Sequence, residues 1–205
     1  MTSTAKFFNS VAAGYDERPN RPDNAKLQHI IDFAKVHRGD TVLDVGTGTG
    51  TLADAELDPQ VVLAKAIGPF GNIDAVDIAS EMLAVAHDKH AGLPLPVRFM
   101  LTDIEKDPVH SLYDRVILLD VLPHLEQPME TIMRLYYHNL AGAGSVTLAQ
   151  SCGRDTANAA NAQLGIHAHQ LPPAQEMATR LTDAGIPVEY VEDTPEQWLI
   201  RIVRH

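Results

Sequence analysis

The 205-residue sequence has little cysteine, few basic residues and no long apolar run. Its single cysteine, Cys152, excludes a disulfide within the chain and agrees with a reducing compartment. Lys and Arg number 16 against 27 Asp and Glu, and this net charge of −11 argues against a nucleic-acid partner, which needs a basic stripe. No apolar run approaches the length of a membrane span, and the first ten residues lack the apolar segment of a secretory signal. We therefore expect a cytoplasmic protein with no membrane span.

The pattern around which the rest of the chain is arranged lies at residues 42–50, which read Val-Leu-Asp-Val-Gly-Thr-Gly-Thr-Gly. The apolar run is too short for a helix and is rich in β-branched residues, which favours a buried strand. The glycines after it allow a tight turn with exposed backbone, and a helix is predicted from Thr51. A strand, a glycine loop and a helix in this order place a ligand against backbone N–H groups.

Strand and helix patterns alternate five times, and the chain then ends with a helix and two adjacent strands. Such alternation favours a parallel sheet covered on both faces. We predict one domain over residues 1–205 with an α/β, Rossmann-like fold: a three-layer sandwich in which helices cover both faces of a seven-stranded, mostly parallel sheet. The last two strands predict one antiparallel strand at the edge of that sheet.

Three segments depart from the regular alternation. The N-terminal arm, residues 1–25, is predicted to be irregular because Gly14 and two prolines interrupt it. It is either a loosely packed segment or a lid that places Tyr15 against the ligand. Residues 151–170 are polar, alanine-rich and also predicted to be irregular. Asp58-Pro59 is predicted to break the helix after the glycine loop, since proline disfavours helix at the residue before it.

Acidic residues stand at or just after the predicted strands, at Asp44, Asp77, Asp103 and Asp120. In parallel sheets of this kind the ligand binds beyond the carboxyl ends of the strands, so these side chains are expected to meet there. Asp77 lies 27 residues after Gly50 and can accept hydrogen bonds from both hydroxyls of a ribose.

The glycine spacing separates two classes of ligand. Dinucleotide sites use Gly-x-Gly-x-x-Gly, whereas this chain has Gly46-x-Gly48-x-Gly50. The acid at Asp44 would repel a pyrophosphate but suits a ligand that carries an ammonium group. The pattern therefore favours S-adenosylmethionine, and it makes an NAD-dependent oxidoreductase the weaker alternative.

Several segments, in order along residues 7–150, together resemble the class I S-adenosylmethionine-dependent methyltransferases, and in particular the small-molecule, ubiquinone/menaquinone-type members. Residues 42–50 resemble the family's first motif and residues 75–83 its second. The other matching segments are residues 7–16, 101–104, 113–125 and 140–145.

The resemblance implies the cofactor contacts. Glycine-loop residues would line the methionine part, with Asp44 near its ammonium group, and Asp77 would hold the ribose. Apolar side chains would pack near the adenine, whose amino group would meet Asp103. The residues implied to contact the cofactor are Tyr15, Asp44, Gly46, Thr47, Gly48, Gly50, Asp77, Ile78, Met82, Asp103, Ile104, Leu119 and Asp120.

The resemblance also implies methyl transfer to a small-molecule acceptor by in-line displacement. His124 is the candidate base if the acceptor must lose a proton, and the alternative is a structural histidine. Residues 151–170 are the expected substrate loop, with Arg154, His167 and His169 as candidate substrate contacts.

Other functions stay open at this point. His167 and His169 together with Cys152 or His124 could ligate a metal, but a polar loop is the favoured interpretation, and no metal site is predicted. A non-catalytic protein that binds S-adenosylmethionine or a metal on the same fold is the main alternative to the enzyme. A homodimer is possible.

Overall fold

The computed structural model describes residues 1–18, 21–53, 63–91, 96–166 and 168–204. At its centre is a seven-stranded sheet with the strand order β3-β2-β1-β4-β5-β7-β6. The strands are β1 (Thr41–Val45), β2 (Asn72–Asp77), β3 (Val97–Leu101), β4 (Tyr113–Leu119), β5 (Leu140–Gln150), β6 (Val188–Asp193) and β7 (Trp198–Val203).

The strand directions confirm the predicted fold class. Strands β1 to β5 pair in parallel, whereas β7 runs antiparallel to both β5 and β6. The one antiparallel strand is therefore β7, and β6 lies outside it at the edge of the sheet. Strand β1 has β2 on one side and β4 on the other, which makes the carboxyl end of β1 the switch point of the sheet.

Helices cover both faces of the sheet. They are α1 (Ser3–Val11), α2 (Asn24–Phe33), α3 (Leu63–Ile67), α4 (Ser80–His90), α5 (Pro128–Asn139), α6 (Arg154–Asn161) and α7 (Ala174–Asp183). None of the helices in the described part of the chain has the length and apolar content needed to cross a membrane.

Alternate residues of each strand supply two separate apolar cores. In β1, Leu43 and Val45 belong to one core and Val42 to the other, because successive side chains of a strand point to opposite faces. In β4, Leu118 and Ile117 divide in the same way. The sheet is therefore buried on both faces, and its strand ends are the places where polar groups can meet a ligand.

The prediction of an irregular N-terminal arm is wrong for most of that segment. Helix α1 begins after Thr2, whose hydroxyl accepts the Ala5 N–H at 3.1 Å, and a 3-10 turn follows at Ala12–Glu17. The arm packs on α4 through a small apolar cluster that includes Ala12 and Met82. The helix-breaking residues act only after Val11, so they end α1 rather than prevent it.

The irregular structure predicted for residues 151–170 is also wrong, since α6 lies within it. An alanine-rich stretch has high helix propensity, and Ala157 buries one face of the short helix. The Asn158 amide then exchanges two hydrogen bonds with the Leu171 backbone, at 2.8 and 3.1 Å. Residues 141–144 are part of β5, whose register against β4 shifts there.

The helix predicted from Thr51 begins as a 3-10 turn, Thr51–Ala53. The predicted break at Asp58-Pro59 lies outside the described residues. Helix α3 ends at Ile67, and a second 3-10 turn, Gly68–Phe70, leads into β2.

Candidate active site

A cleft lies at the carboxyl ends of β1, β2 and β4, where the sheet has its switch point. Its larger cavity holds about 800 Å³ including the open mouth, and a smaller neighbouring cavity holds about 350 Å³. Tyr15, Gly46, Gly48, Leu119 and Asp120 line both cavities. The two cavities are therefore neighbours with a shared wall, to which Tyr15 of the arm contributes.

The glycine loop closes tightly on the strand beside it. Gly46 has a φ of +69°, which favours glycine, and a Cβ placed there would lie 2.5 Å from Cγ2 of Val121. The Gly46 and Thr47 N–H groups both donate to the Val76 carbonyl, at 2.8 and 3.0 Å. The loop is thus held against the end of β2, with its backbone forming the floor of the cleft.

Asp77 connects that loop to the next helix. Its Oδ2 accepts the Gly48 N–H at 2.8 Å, and its Oδ1 accepts the Ala79 N–H at 2.8 Å. Burial raises the pKa of Asp77, and these backbone hydrogen bonds oppose the rise. The Ile78 N–H is a third backbone donor to this carboxylate, which therefore retains room for about one more hydrogen bond, from a ligand in the larger cavity.

Asp44 supplies a buried acid to the smaller cavity. Its side chain is 2% exposed, and burial raises its pKa to about 7. The neighbouring Thr47 hydroxyl opposes this rise, although within the described residues it makes no hydrogen bond of standard geometry. A bound cation would favour the ionised form of Asp44, which agrees with the predicted contact to an ammonium group.

Asp120 follows β4 in a strained conformation, with a φ of +57°. Both of its carboxylate oxygens are fixed by Ser151: Oδ1 accepts the Ser151 N–H at 2.8 Å and Oδ2 accepts the hydroxyl at 2.6 Å. Burial raises the pKa of Asp120, and the bonds from Ser151 oppose the rise. The ends of β4 and β5 are tied together in this way beneath the cleft.

The predicted adenine contacts gather at the other end of the larger cavity. Ile78, Met82, Asp103 and Ile104 all line it. The Asp103 carboxylate accepts the Glu105 N–H at 3.1 Å and pairs with the Lys106 ammonium at 2.9 Å. This end combines an apolar wall with one oriented acid, as an aromatic base with an amino group requires.

The arm brings two aromatic rings to the cleft. Tyr15 lies over the glycine loop, since a Cβ on Gly48 would be 3.7 Å from Cε1 of Tyr15. Burial raises the pKa of the Tyr15 hydroxyl, which stays protonated near neutral pH. Phe8 packs edge-to-face on His124 with their ring centroids 5.1 Å apart, so the arm also contacts the segment after β4.

Arg18 is a site residue that the sequence reasoning missed. Its guanidinium carbon lies 3.7 Å from the centroid of the Tyr15 ring, and the side chain lines the smaller cavity with Asp44. The spacing of three residues from Tyr15 was a usable signal, because residues i and i+3 of a helical turn share a face. Arg18 gives the smaller cavity a cation opposite its acids.

His124 occupies a short 3-10 turn, Leu122–His124, at the wall of the larger cavity. Burial lowers its pKa to about 4, so the ring is neutral near pH 7. Its Nδ1 is buried and has no hydrogen-bond partner among the residues described. The imidazole can therefore act only through its other nitrogen.

Of the other predicted site residues, Thr47 lines the smaller cavity, whereas Gly50 lines neither. A Cβ on Gly50 would lie 2.9 Å from His90, so this glycine permits close packing on α4.

Two of the candidate substrate contacts, Arg154 and His169, are not brought to the cleft. Arg154 pairs with its neighbour Asp155 at 3.0 Å, and His169 lies against the Glu126 carbonyl at 3.3 Å. Neither residue lines the two cavities, and Cys152 does not line them either. His167 lies outside the described residues. Within the described ranges, no group of three or more His, Cys, Asp or Glu side chains is placed to hold a metal.

Two curated proteins illustrate the sequence similarity. The chain is 39% identical over 120 residues to a ubiquinone/menaquinone biosynthesis C-methyltransferase of Bordetella avium, which covers 55% of this chain and 43% of that protein. It is 29% identical over 130 residues to a malonyl-[acyl-carrier protein] O-methyltransferase of Anoxybacillus flavithermus, covering 63% and 46%. The chain thus spans less than half the length of these curated relatives.

A solved structure with a similar fold is the magnesium protoporphyrin IX methyltransferase of Synechocystis PCC 6803 with bound SAH. It superposes with a TM-score of 0.67 at 21% identity, over 98% of each chain. The family model described as "Methyltransferase domain" matches residues 42–144, which carry the glycine loop, Asp77 and His124. The chain therefore belongs to the methyltransferase domain family, and its fold is that of the class I S-adenosylmethionine-dependent methyltransferases.

Proposed function

We propose that this protein transfers the methyl group of S-adenosylmethionine to a small-molecule acceptor. The observation that carries the proposal is Asp77, which lies between the glycine loop and α4 and lines the larger cavity. An acid in that place suits a ribose, and the apolar wall with Asp103 beyond it suits an adenine. When bound, the cofactor would supply an electrophilic methyl group on a sulfonium.

The smaller cavity fits the methionine part of the same ligand. Asp44 offers a carboxylate for the ammonium group, and Arg18 offers a guanidinium for the carboxylate. A pyrophosphate has no ammonium group and would place its negative charges beside Asp44. The charges of this cavity therefore support S-adenosylmethionine over a dinucleotide.

The acceptor would lie between the arm and the segment after β4. Phe8 and His124 are in contact there and close one side of the cleft. Alignment of an acceptor with the methyl group can supply roughly 7–11 kcal/mol of the barrier reduction, so the protein's main task is positioning. The neutral His124 ring would accept a hydrogen bond or a proton from an acceptor that must lose one.

The charges around the larger cavity support a small molecule rather than a nucleic acid. Among the residues described, its lining contains Asp77, Asp103, Glu105, Asp120 and Glu126 but no lysine or arginine. A phosphate backbone would be repelled by this lining.

The test is cofactor binding by isothermal titration with purified wild-type protein and Asp77→Ala. We expect binding by the wild type and an affinity about 10–100-fold lower in the variant, since the loss of one hydrogen bond to a charged group costs roughly 1.5–3 kcal/mol. Asp88→Ala, which removes an exposed acid of α4, is the matched control and is expected to bind like the wild type. Absence of binding by the wild type, or unchanged affinity in a folded Asp77→Ala, would contradict the proposal.

A further inference from the structure

The arm is attached to the rest of the molecule by few apolar contacts. Its own cluster consists of the buried residues Ala12, Ala79 and Met82 with partly buried neighbours, and it is separate from the two cores of the sheet. An element with so little buried apolar surface opens at low free-energy cost. Its closed position therefore depends strongly on its polar contacts.

Those polar contacts lie at both ends of α4. At the start of α4, the Asn9 side chain accepts the Glu81 N–H at 2.9 Å. At the end of α4, Asp16 accepts a hydrogen bond from the Lys89 ammonium at 2.8 Å. Arg21 adds a longer ion pair to Asp16 at 4.0 Å.

Asp16 is also bonded to the glycine loop itself. The hydroxyl of Thr49, which is 0% exposed, donates to Oδ1 of Asp16 at 2.6 Å. Burial would raise the pKa of Asp16, but the bonds from Lys89 and Thr49 outweigh it, so the pKa is lowered. The carboxylate thus stays ionised and fastens the arm to the glycine loop and α4 at once.

The residue next to Asp16 is Tyr15, which lines both cavities. A ligand that occupies both cavities therefore lies against this ring, and the position of the arm affects how it enters and leaves. Movement of the arm away from the glycine loop and α4 at this point requires the two hydrogen bonds of Asp16 to break.

We propose that Asp16 is a positioning residue that holds Tyr15 over the glycine loop and sets how long the cofactor stays bound. The inference rests on the proposed function for the identity of the ligand, but not for the closure of the arm. Asp16 acts through Tyr15 and the glycine loop and does not itself line either cavity.

The experiment measures dissociation of S-adenosylhomocysteine from the immobilised full-length protein by surface plasmon resonance. Asp16→Asn is expected to release it about tenfold faster, the size of effect that follows the loss of a charge-assisted hydrogen bond. Thr49→Val removes the same bond from the other side and is expected to act in the same direction. The double variant should not exceed the larger single effect, since the two changes break one interaction.

Two further variants separate positioning from simple destabilisation. Glu17→Gln makes the same charge change at the exposed neighbouring residue and is expected to leave dissociation unchanged. Asp16→Glu retains the carboxylate and is expected to recover part of the slow dissociation. In turnover assays, Asp16→Asn is expected to raise KM for the cofactor more than it lowers kcat.

Hydrogen exchange of the free protein distinguishes failure of this inference from failure of the proposed function. Faster exchange confined to residues 3–17 in Asp16→Asn supports the role of Asp16 even if the wild type binds no S-adenosylhomocysteine. Wild-type dissociation rates and wild-type arm exchange in folded Asp16→Asn and Thr49→Val would overturn the inference.

Discussion

The acids Asp44, Asp77 and Asp120 each lie at or just after the end of a strand, but their surroundings differ. Asp77 and Asp120 are fixed by hydrogen bonds from Gly48, Ala79 and Ser151. Asp44 has weaker support, and burial raises its pKa to about 7. A cation bound in the smaller cavity would therefore favour the ionised form of Asp44 near neutral pH.

His124→Ala tests the predicted base. We expect kcat to fall about 100-fold or more, a typical contribution of general acid–base catalysis, while the affinity for S-adenosylmethionine stays within about twofold. The pKa of His124 is about 4, so the ring is neutral from pH 6 to 8, and the variant should show the same pH dependence as the wild type in that range. Steady-state kinetics with an identified acceptor, together with titration of the cofactor, would measure both quantities.

The effect of His124 on stability gives a check that does not depend on the acceptor. Its folded pKa lies below the unfolded value of 6.5, so the unfolded chain takes up a proton first as the pH falls. The histidine therefore destabilises the fold progressively between about pH 6.5 and 4. In denaturant unfolding at a series of pH values, His124→Gln should lack this part of the decline in the free energy of unfolding. In the kinetic test, a kcat of His124→Ala equal to that of the wild type would exclude a role of His124 as base.

For single residues, the sequence predicted where the acids of the candidate site lie but not which groups surround them. Asp44 and Asp77 could be placed because the chain positions of strand ends follow from the apolar pattern. Ser151 could not, because it reaches the site through the pairing of β4 with β5, and the only sequence signal for Arg18 was its spacing from Tyr15. Arg154 and His169 were predicted from the expected substrate loop, and neither of them lines the two cavities.

Among the elements, the glycine loop has little freedom to change. Gly46 combines a φ of +69° with a neighbouring Val121 methyl group that leaves no room for a Cβ. We expect Gly46→Ala to destabilise the protein by about 2–5 kcal/mol, because a left-handed alanine costs about 1–2 kcal/mol and overpacking about 1–3 kcal/mol. Urea unfolding would measure this, and cofactor binding should weaken with it.

The chain offers a matched control for that substitution. A Cβ on Gly142 in β5 would meet nothing within 4 Å, and this glycine has no positive φ. Gly142→Ala should therefore change stability by no more than about 1 kcal/mol. Adding Val121→Ala to Gly46→Ala should recover part of the loss, since it removes the clashing methyl groups but not the backbone strain. Equal stability of Gly46→Ala and Gly142→Ala would contradict this account of the loop.

Regular elements were predictable where the apolar pattern was clear, as in β1, the buried strand expected immediately before the glycine loop. The prediction failed where a helix depends on caps and on packing partners that are distant in sequence. Helix α1 depends on Thr2 and on contacts with α4, and α6 is anchored by Asn158 bonding to Leu171. Composition alone cannot show such contacts.

For the whole molecule, alternation of strands and helices was sufficient to predict the sheet, and a cleft lies at the strand ends where the ligand was expected. The order of the last two strands was not predictable in this way, because β7 inserts between β5 and β6. That arrangement is fixed by pairing, with β7 joined to β5 from Ser145 to Gln150. The fold thus determines where the site lies, whereas the arm and the loops determine what it binds.

We expect one ligand to occupy both cavities. Its charged groups would contact Asp44 and Arg18 in the smaller cavity, and its other end would contact Asp77 and the apolar wall of the larger cavity. A ligand that binds only the folded state stabilises it by about 2.7 kcal/mol at a concentration 100 times its Kd. For a domain of this size, that corresponds to a rise of about 5–10 °C in Tm. We expect S-adenosylmethionine to produce such a rise in thermal unfolding. NAD should produce almost none, because its pyrophosphate would lie beside Asp44.

Arg18→Ala should reduce the rise in Tm caused by S-adenosylmethionine, because it removes the cation of the smaller cavity. Lys65→Ala, which removes a cation outside both cavities, should preserve that rise. A larger shift with NAD than with S-adenosylmethionine would reverse the assignment of the ligand, and equal shifts in wild type and Arg18→Ala would remove Arg18 from the site.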